Sequence, residues 1–167
     1  MEVAVVSLQK ALSGLLVVLV CVAVAGCGGS VKRVNVTGKI LDGGTPLALT
    51  GRDYQEGAAS VEVRFCPDDE ALVALLEKLP LSLSARAKLD GTFVIDGGDG
   101  KGIPVGKYKV ALTNRNTNVD RRNPAAGQGD VWGGKFAADK TPFKFDIQEP
   151  QEIVLDIAQA AAPAAKP

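Results

Sequence analysis

Histidine is absent from this chain of 167 residues, and cysteine occurs only three times. Without histidine, Ser-His-Asp and Cys-His catalytic arrangements are excluded, and so is histidine-ligated zinc. Cys21 and Cys27 lie in an apolar segment near the start, so Cys66 has no partner for a disulfide in the remaining chain. We therefore expect a protein that is not an enzyme and that carries no cofactor and no metal site.

An excess of either charge is also missing, because nineteen basic residues balance nineteen acidic ones. Removing the first 26 residues would take away one of each, Lys10 and Glu2. A neutral chain offers no electrostatic footprint for nucleic acid or anionic lipid. The composition thus predicts no nucleic-acid partner, and it predicts that any membrane attachment comes from acyl chains.

The longest uncharged stretch covers residues 11–31, and its middle is nearly continuous Leu, Val and Ala. Such a run is either a signal sequence or a transmembrane helix. It ends in Val-Ala-Gly-Cys at residues 24–27, which resembles the lipobox of bacterial lipoproteins. Cys21 does not fit that pattern, because Val20 occupies a position that must be small. The resemblance implies cleavage of a signal peptide before Cys27 and attachment of palmitate-type acyl chains to this cysteine.

An uncleaved anchor is the alternative interpretation of the same run. Only Lys10 precedes it, whereas Lys32 and Arg33 follow it, and this distribution gives the anchor some support. The lipobox favours the lipoprotein. Gly28 stands where an Asp holds some lipoproteins at the inner membrane, so we expect a lipid-anchored protein of the cell envelope or periplasm, with the outer membrane slightly favoured.

The rest of the chain predicts one all-β domain. Alternating apolar and polar residues separated by Gly, Asp, Asn and Pro turns are typical of a sandwich. We predict a signal peptide at 1–26, a lipidated linker at 27–33, a β-sandwich at 34–157 and a disordered Ala/Pro tail at 158–167. The sandwich should contain about seven strands, within residues 34–41, 60–66, 81–88, 93–95, 106–113, 143–147 and 153–157.

Two local signals add detail to this prediction. Asp90-Gly91 is typical of a hairpin turn. Acidic residues at 68–70, leucines at 72, 75, 76 and 79, and Pro80 predict one inserted short helix that packs against the sandwich. Cys66 should lie on a polar face or at an edge as an inert thiol.

Three segments, in order, carry a resemblance to a known family: Val-Thr-Gly-Lys-Ile at 36–40, Leu-Asp-Gly-Thr-Phe at 89–93, and Gly-Ile-Pro-Val-Gly-Lys-Tyr-Lys-Val at 102–110. Together they resemble the carboxypeptidase regulatory-like domain of small bacterial lipoproteins. This resemblance implies a single Greek-key sandwich of the transthyretin-like (prealbumin-like) kind. It implies no catalytic residue, because the family uses these residues to specify the fold.

One segment is a candidate binding surface. Residues 114–140 form the longest stretch without periodicity and contain Arg115, Arg121, Arg122 and the only tryptophan, Trp132. Trp and Arg are common in binding hot spots, and long loops are often functional. The alternative is that Trp132 simply covers the end of the sandwich.

A second loop raises the question of a metal. Residues 96–100, Asp-Gly-Gly-Asp-Gly, contain oxygen ligands of the kind that calcium prefers but lack a regular calcium-loop spacing. A connecting loop with solvated acids is the favoured interpretation.

The sequence as a whole predicts a membrane-tethered, non-enzymatic binding or structural module with an envelope protein or polysaccharide as partner. The alternative function is a carbohydrate- or small-ligand-binding accessory domain that uses the Trp132 loop.

Overall fold

The computed structural model describes residues 31–116 and 129–161. The predicted signal peptide and the predicted lipid acceptor Cys27 lie outside these residues. No helix in the described ranges has the length and apolar character needed to cross a membrane. The strands are β1 (Arg33–Val34), β2 (Val36–Asp42), β3 (Thr45–Pro46), β4 (Ala59–Pro67), β5 (Ser84–Arg86), β6 (Thr92–Ile95), β7 (Ile103–Pro104), β8 (Gly106–Asn116), β9 (Lys144–Ile147) and β10 (Gln151–Asp156). The helices are α1 (Arg52–Gln55) and α2 (Glu70–Leu76), with a final 3₁₀ turn at Gln159–Ala161.

The first sheet is built around β2. Strand β10 pairs with it in parallel along one edge, from Gln151 opposite Val36 to Asp156 opposite Leu41. Strands β6 and β3 pair with its other edge in antiparallel fashion. Because β2 and β10 are far apart in sequence, this sheet joins the two ends of the domain.

The second sheet is antiparallel, in the order β5-β4-β8-β9. Its longest pairing runs from Ala59 opposite Asn116 to Pro67 opposite Tyr108. A short separate ladder joins β1 to β7. The described chain is mostly β with several sheets, as expected for an all-β sandwich.

The apolar faces of the two sheets supply the core, as the alternating pattern predicts. Val61, Val63 and Phe65 of β4 are buried, which confirms that strand's predicted inward face. Tyr108 of β8 is 1% exposed and packs edge-on to Phe65, with ring centroids 5.7 Å apart. Phe93 of β6 is also 1% exposed. The aromatic residues predicted to fill the core therefore do so.

A glycine makes room for one of these aromatics. Gly38 lies opposite Phe93 in the β2–β6 pairing. A Cβ placed on Gly38 would collide with the tip of the Phe93 ring and would lie 2.8 Å from the carbonyl oxygen of Ile153. The phenylalanine therefore covers a position on β2 that only glycine leaves empty.

The predicted strand at 81–88 is wrong in extent, since only Ser84–Arg86 forms β5. Leu83 and Ala87 beside β5 still bond to β4, but the Ser82 amide donates to the Gly97 carbonyl at 2.9 Å and the Lys88 amide donates to the Thr92 carbonyl of β6 at 2.7 Å. This segment therefore crosses between the sheets. The turn predicted at Asp90-Gly91 forms, because Gly91 has φ 78° and Asp90 accepts from the Thr92 amide. It connects β5 to β6, which lie in different sheets, so the predicted hairpin pairing does not form there.

The predicted helix forms with small differences. Asp69 caps it by accepting from the amides of Ala71 and Leu72, and it ends at Leu76, before the expected Pro80. Leu72 is buried against Gly106, so α2 covers one end of the core, as predicted.

The count of strands and two boundaries also differ from the predictions. The described residues form ten strands where about seven were expected, and three of them, β1, β3 and β7, contain only two residues each. The expected linker ends too late, since β1 begins at Arg33. The expected disordered tail begins too early, since residues 158–161 form an ordered turn and the remaining tail residues lie outside the described ranges.

Candidate functional site

The end of the 114–140 segment is fastened to β8 by one carboxylate. Asp130 accepts from the backbone amides of Asn114, Trp132 and Gly134, at 2.8, 3.1 and 2.9 Å. The Val131 amide donates to the Asn114 carbonyl at 2.7 Å. An Asp that closes a turn through its own neighbours is a common loop device. Asp130 was not among the predicted site residues, although an acid shortly before Gly133-Gly134 is a recognisable signal for such a turn.

Trp132 packs onto the core. Its ring meets Phe136 edge-on, with centroids 5.5 Å apart and planes at 90°. Phe136 is 2% exposed and stacks on Phe143 at 5.9 Å. Lys135 lies over the Phe136 ring, with its Nζ 5.6 Å from the centroid. Trp132 is half-buried, so part of its surface remains available while the rest helps to close the core.

The predicted arginines of this segment are placed only in part. Arg115 lies on β8, opposite Asp130 in an isolated β-bridge, so the structure does bring it to the start of the Trp132 turn. Its guanidinium forms an ion pair with Glu62 at 3.3 Å, and the side chain is 62% exposed. Arg121 and Arg122 lie outside the described residues.

A hydrogen bond from α1 also holds the end of β8 in this region. The Tyr54 hydroxyl donates to Asn114 Oδ1 at 2.8 Å, and Asn114 is buried. Helix α1 was not predicted. It contains a single turn, and a helix of this length shows too few residues for an apolar periodicity to be recognised in the sequence.

The Asp-Gly-Gly-Asp-Gly loop is held by an arginine. Arg33 donates to both carboxylate oxygens of Asp99, at 2.9 and 2.5 Å, and its Nε donates to the Gly102 carbonyl. The hydrogen bond from Arg33 is the main cause that lowers the pKa of Asp99 to about 2, and the Lys101 amide adds to it. Asp96 accepts from the Gly98 amide. No group of three metal-ligand side chains occurs within residues 31–116 and 129–161.

Asp156 closes the far end of the domain. It accepts from the amides of Gly43 and Gly44 at 3.0 and 2.9 Å, and from those of Ala158 and Gln159 at 3.1 and 3.4 Å. Burial alone would raise the pKa of Asp156, but these four backbone donors outweigh it, so the pKa falls below its ordinary value. The carboxylate therefore joins the β2–β3 turn to the 3₁₀ turn.

Three cavities lie among the described residues, and the wall of none of them includes Trp132. One of about 400 Å³ lies beside β10 and includes Phe143, Val154 and Asp156 in its wall. Another of about 280 Å³ lies beside Cys66, which is half-buried and unpaired in the described chain. A third, of about 160 Å³, borders Tyr54. A concave, aromatic-lined ligand site is therefore not evident at these cavities.

The outer face of the second sheet concentrates positive charge. Its outward residues alternate with the buried ones of β4 and β8, and they include six basic side chains that we call the basic face: Arg64, Arg86, Lys107, Lys109, Arg115 and Lys144. Three acids share this surface, Glu62, Asp68 and Asp146, so the face carries a net charge of +3. The expectation that a neutral chain has no electrostatic footprint therefore does not hold locally, because neutrality constrains only the sum.

Comparison with known proteins adds little. No family model matches the sequence, and a search of curated proteins finds no match. Among solved structures, the chain is similar to a DUF3823 family protein from Parabacteroides merdae ATCC 43184, with a TM-score of 0.39 and 16% sequence identity. The alignment covers 76% of this chain and 46% of that protein, so the chain spans less than half of its length.

Proposed function

We propose that this protein is a bacterial lipoprotein, anchored through acyl chains on Cys27, whose β-sandwich acts as a non-enzymatic binding or structural module in the cell envelope. The observation that carries the proposal is the sequence Val-Ala-Gly-Cys at residues 24–27, which directly follows a long apolar run and is followed within a few residues by the folded chain. Two or three acyl chains hold a protein stably at a membrane, whereas one chain does so only marginally.

The hydrogen bonds of the acidic side chains and of the buried polar atoms support a non-enzymatic role. Catalytic carboxylates are usually exposed in a cleft with a perturbed pKa and a free oxygen. Asp99 and Asp156, which have lowered pKa values, are bound to Arg33 or to backbone amides. Every buried side-chain nitrogen or oxygen in the described ranges has a hydrogen-bond partner. These groups hold turns together.

We also propose that the sandwich has Greek-key connections of the carboxypeptidase regulatory-like, transthyretin-like kind. The Tyr108 hydroxyl donates to the Pro104 carbonyl, four residues earlier, at 2.7 Å. This hydrogen bond has the form of the tyrosine corner that accompanies Greek-key sandwiches. The distant β10 also lies beside β2, although this pair is parallel whereas the strands of a Greek key are antiparallel.

The alternative function, a carbohydrate- or small-ligand-binding accessory domain, has one observation in its favour. Trp132 is half-buried, and it lies on a turn ordered by Asp130, so part of an aromatic surface is presented in a fixed position. The three cavities described above do not include Trp132 in their walls.

Mass spectrometry of membrane-extracted protein tests the anchor. We expect an acylated peptide that begins at Cys27, and we expect Cys27→Ser to abolish both the acyl group and the cleavage. Cys21→Ser is the matched control and should leave both unchanged. An unacylated membrane protein that still carries its Met1 peptide would instead establish the uncleaved anchor.

A further inference from the structure

The basic face contains a contact that lowers stability. Lys109 of β8 lies directly opposite Lys144 of β9. Like charges at directly opposed positions of a strand pair are destabilising. Asp68 offsets part of this repulsion by pairing with Lys109 at 2.5 Å. The hydrogen bond from Lys109 is the main cause that lowers the pKa of Asp68, and the charges of Lys144 and Lys107 add to it, so all three lysines act on one carboxylate.

Four residues of the basic face lack an ion pair among the described residues, although the strand register places Arg86 opposite Glu62 and Lys107 opposite Asp146. Arg64, Arg86, Lys107 and Lys144 form no ion pair within the described part of the chain. Each of these side chains is exposed. The outer face of the first sheet differs, because Lys39 there pairs with Glu152 at 3.2 Å and its neighbours Val94 and Val154 are uncharged. Of the outer faces of the two sheets, that of the second therefore carries the surplus of positive charge.

The chain enters the folded domain beside this face. The Lys32 carbonyl accepts from the amide of Val105, two residues before Lys107, at 3.1 Å. The Lys32 Nζ donates to the carbonyl of Gln148, which directly follows β9, at 2.8 Å. Lys32 lies five positions after Cys27, and five residue steps span at most about 18 Å. A lipid on Cys27 would thus hold the Lys107 end of the basic face close to the headgroups.

We propose that the basic face docks on the anionic phospholipid headgroups of the membrane that holds the lipid of Cys27, and so fixes the orientation of the sandwich on that membrane. This inference rests on the lipid anchor proposed above. Anionic headgroups match the charge of the face, and the point of chain entry favours a lipid surface over a soluble polyanion. Lysines and arginines near an anionic surface add to the binding given by acyl chains, and salt screens their contribution.

Lysine acetylation in reconstituted vesicles tests the docking. The full lipidated protein is placed in vesicles of phosphatidylcholine alone or of phosphatidylcholine mixed with phosphatidylglycerol, and labelling is measured by mass spectrometry. We expect Lys107 and Lys144 to react about fivefold more slowly in the anionic vesicles, and we expect high salt to abolish the difference. Lys39, on the opposite face, is the internal control and should react equally in both. Equal labelling of Lys107 and Lys144 in both vesicles would overturn the proposal.

Substitutions elsewhere on the face extend the test without removing the labelled lysines. Arg64→Gln combined with Arg86→Gln should return most of the lost reactivity of Lys107, because the docked state loses two charges. Arg52→Gln, a matched change at an 85% exposed arginine of α1, should have no effect. Protection by a soluble acidic polysaccharide but not by anionic vesicles would also overturn the proposal and assign the face to that polymer.

The same samples separate this inference from the anchor. An acylated protein whose basic face labels equally in both vesicles would keep the anchor and remove the docking surface. A protein without an acyl group that still co-sediments with anionic vesicles, with Lys107 and Lys144 protected, would remove the anchor and keep the docking surface.

Discussion

Removing one oxygen from Tyr108 should cost this domain a measurable part of its stability. The residue is 1% exposed, and its hydroxyl donates to the Pro104 carbonyl at 2.7 Å inside the protein. In Tyr108→Phe the ring still fills its place, but the Pro104 carbonyl loses this donor where water has little access. Leaving a buried acceptor unsatisfied costs about 1 to 3 kcal/mol. At ~4 °C per kcal/mol for a domain of this size, Tm should fall by roughly 4 to 12 °C.

Thermal unfolding followed by circular dichroism measures this change, and Tyr54→Phe is the matched control. That substitution also removes a hydrogen-bonding hydroxyl, which in the parent donates to Asn114 Oδ1 at 2.8 Å. Tyr54 is only half-buried, so water can replace its hydroxyl more easily and the loss should be smaller. If Tyr108→Phe unfolded at the parent's temperature, the hydrogen bond from Tyr108 to Pro104 would contribute nothing to stability, and the stabilising role inferred for it would be wrong.

Alkaline pH gives a second measurement of the same group. Burial raises the pKa of Tyr108 above its ordinary value of about 10. Because the folded pKa is the higher one, the stabilisation of the protonated form is complete below pH ~10 and is lost as pH rises further. The parent should therefore lose stability above pH ~10 more steeply than Tyr108→Phe does. Parallel declines in the two proteins would contradict this assignment.

Three further predictions follow from single contacts. Gly38→Ala should lower the free energy of unfolding by about 1 to 3 kcal/mol through its clash with Phe93, and combining it with Phe93→Leu should cost less than the sum of the two changes, as measured by urea unfolding. Asp99→Asn should make the protein less stable at neutral pH and should remove the fall in stability that the parent shows as pH drops from ~4 towards 2. The lowered pKa of Asp99 in the folded protein gives a stabilisation that acid abolishes. An acid-unfolding profile unchanged from the parent's would show that the bond from Asp99 to Arg33 has no effect. Trp132→Ala should lower the free energy of unfolding by about 2 kcal/mol, because the half-buried ring packs on the core. If Tm stayed at the parent's value while capture of an envelope ligand became about thirty-fold weaker, Trp132 would be a contact residue instead.

The sequence was sufficient for features that depend on near neighbours. Alternation assigned Phe65, Phe93 and Tyr108 to the core, because the side chains of a strand point to opposite faces at a period of two whatever the strand pairs with. The turn at Asp90-Gly91 and the helix capped by Asp69 were predictable for the same reason, since their hydrogen bonds close within a few residues.

Only the tertiary structure decided which distant residues meet. The parallel partner of β2 lies more than a hundred residues along the chain, and nothing in either strand alone specifies that register. The same pairing explains why Gly38 must lack a side chain, because the ring that fills its place belongs to β6. The basic face was also invisible in the sequence, where the charges sum to zero. Its residues come from four strands, and only their pairing places Lys109 opposite Lys144 and leaves Arg64 without an ion pair among the described residues.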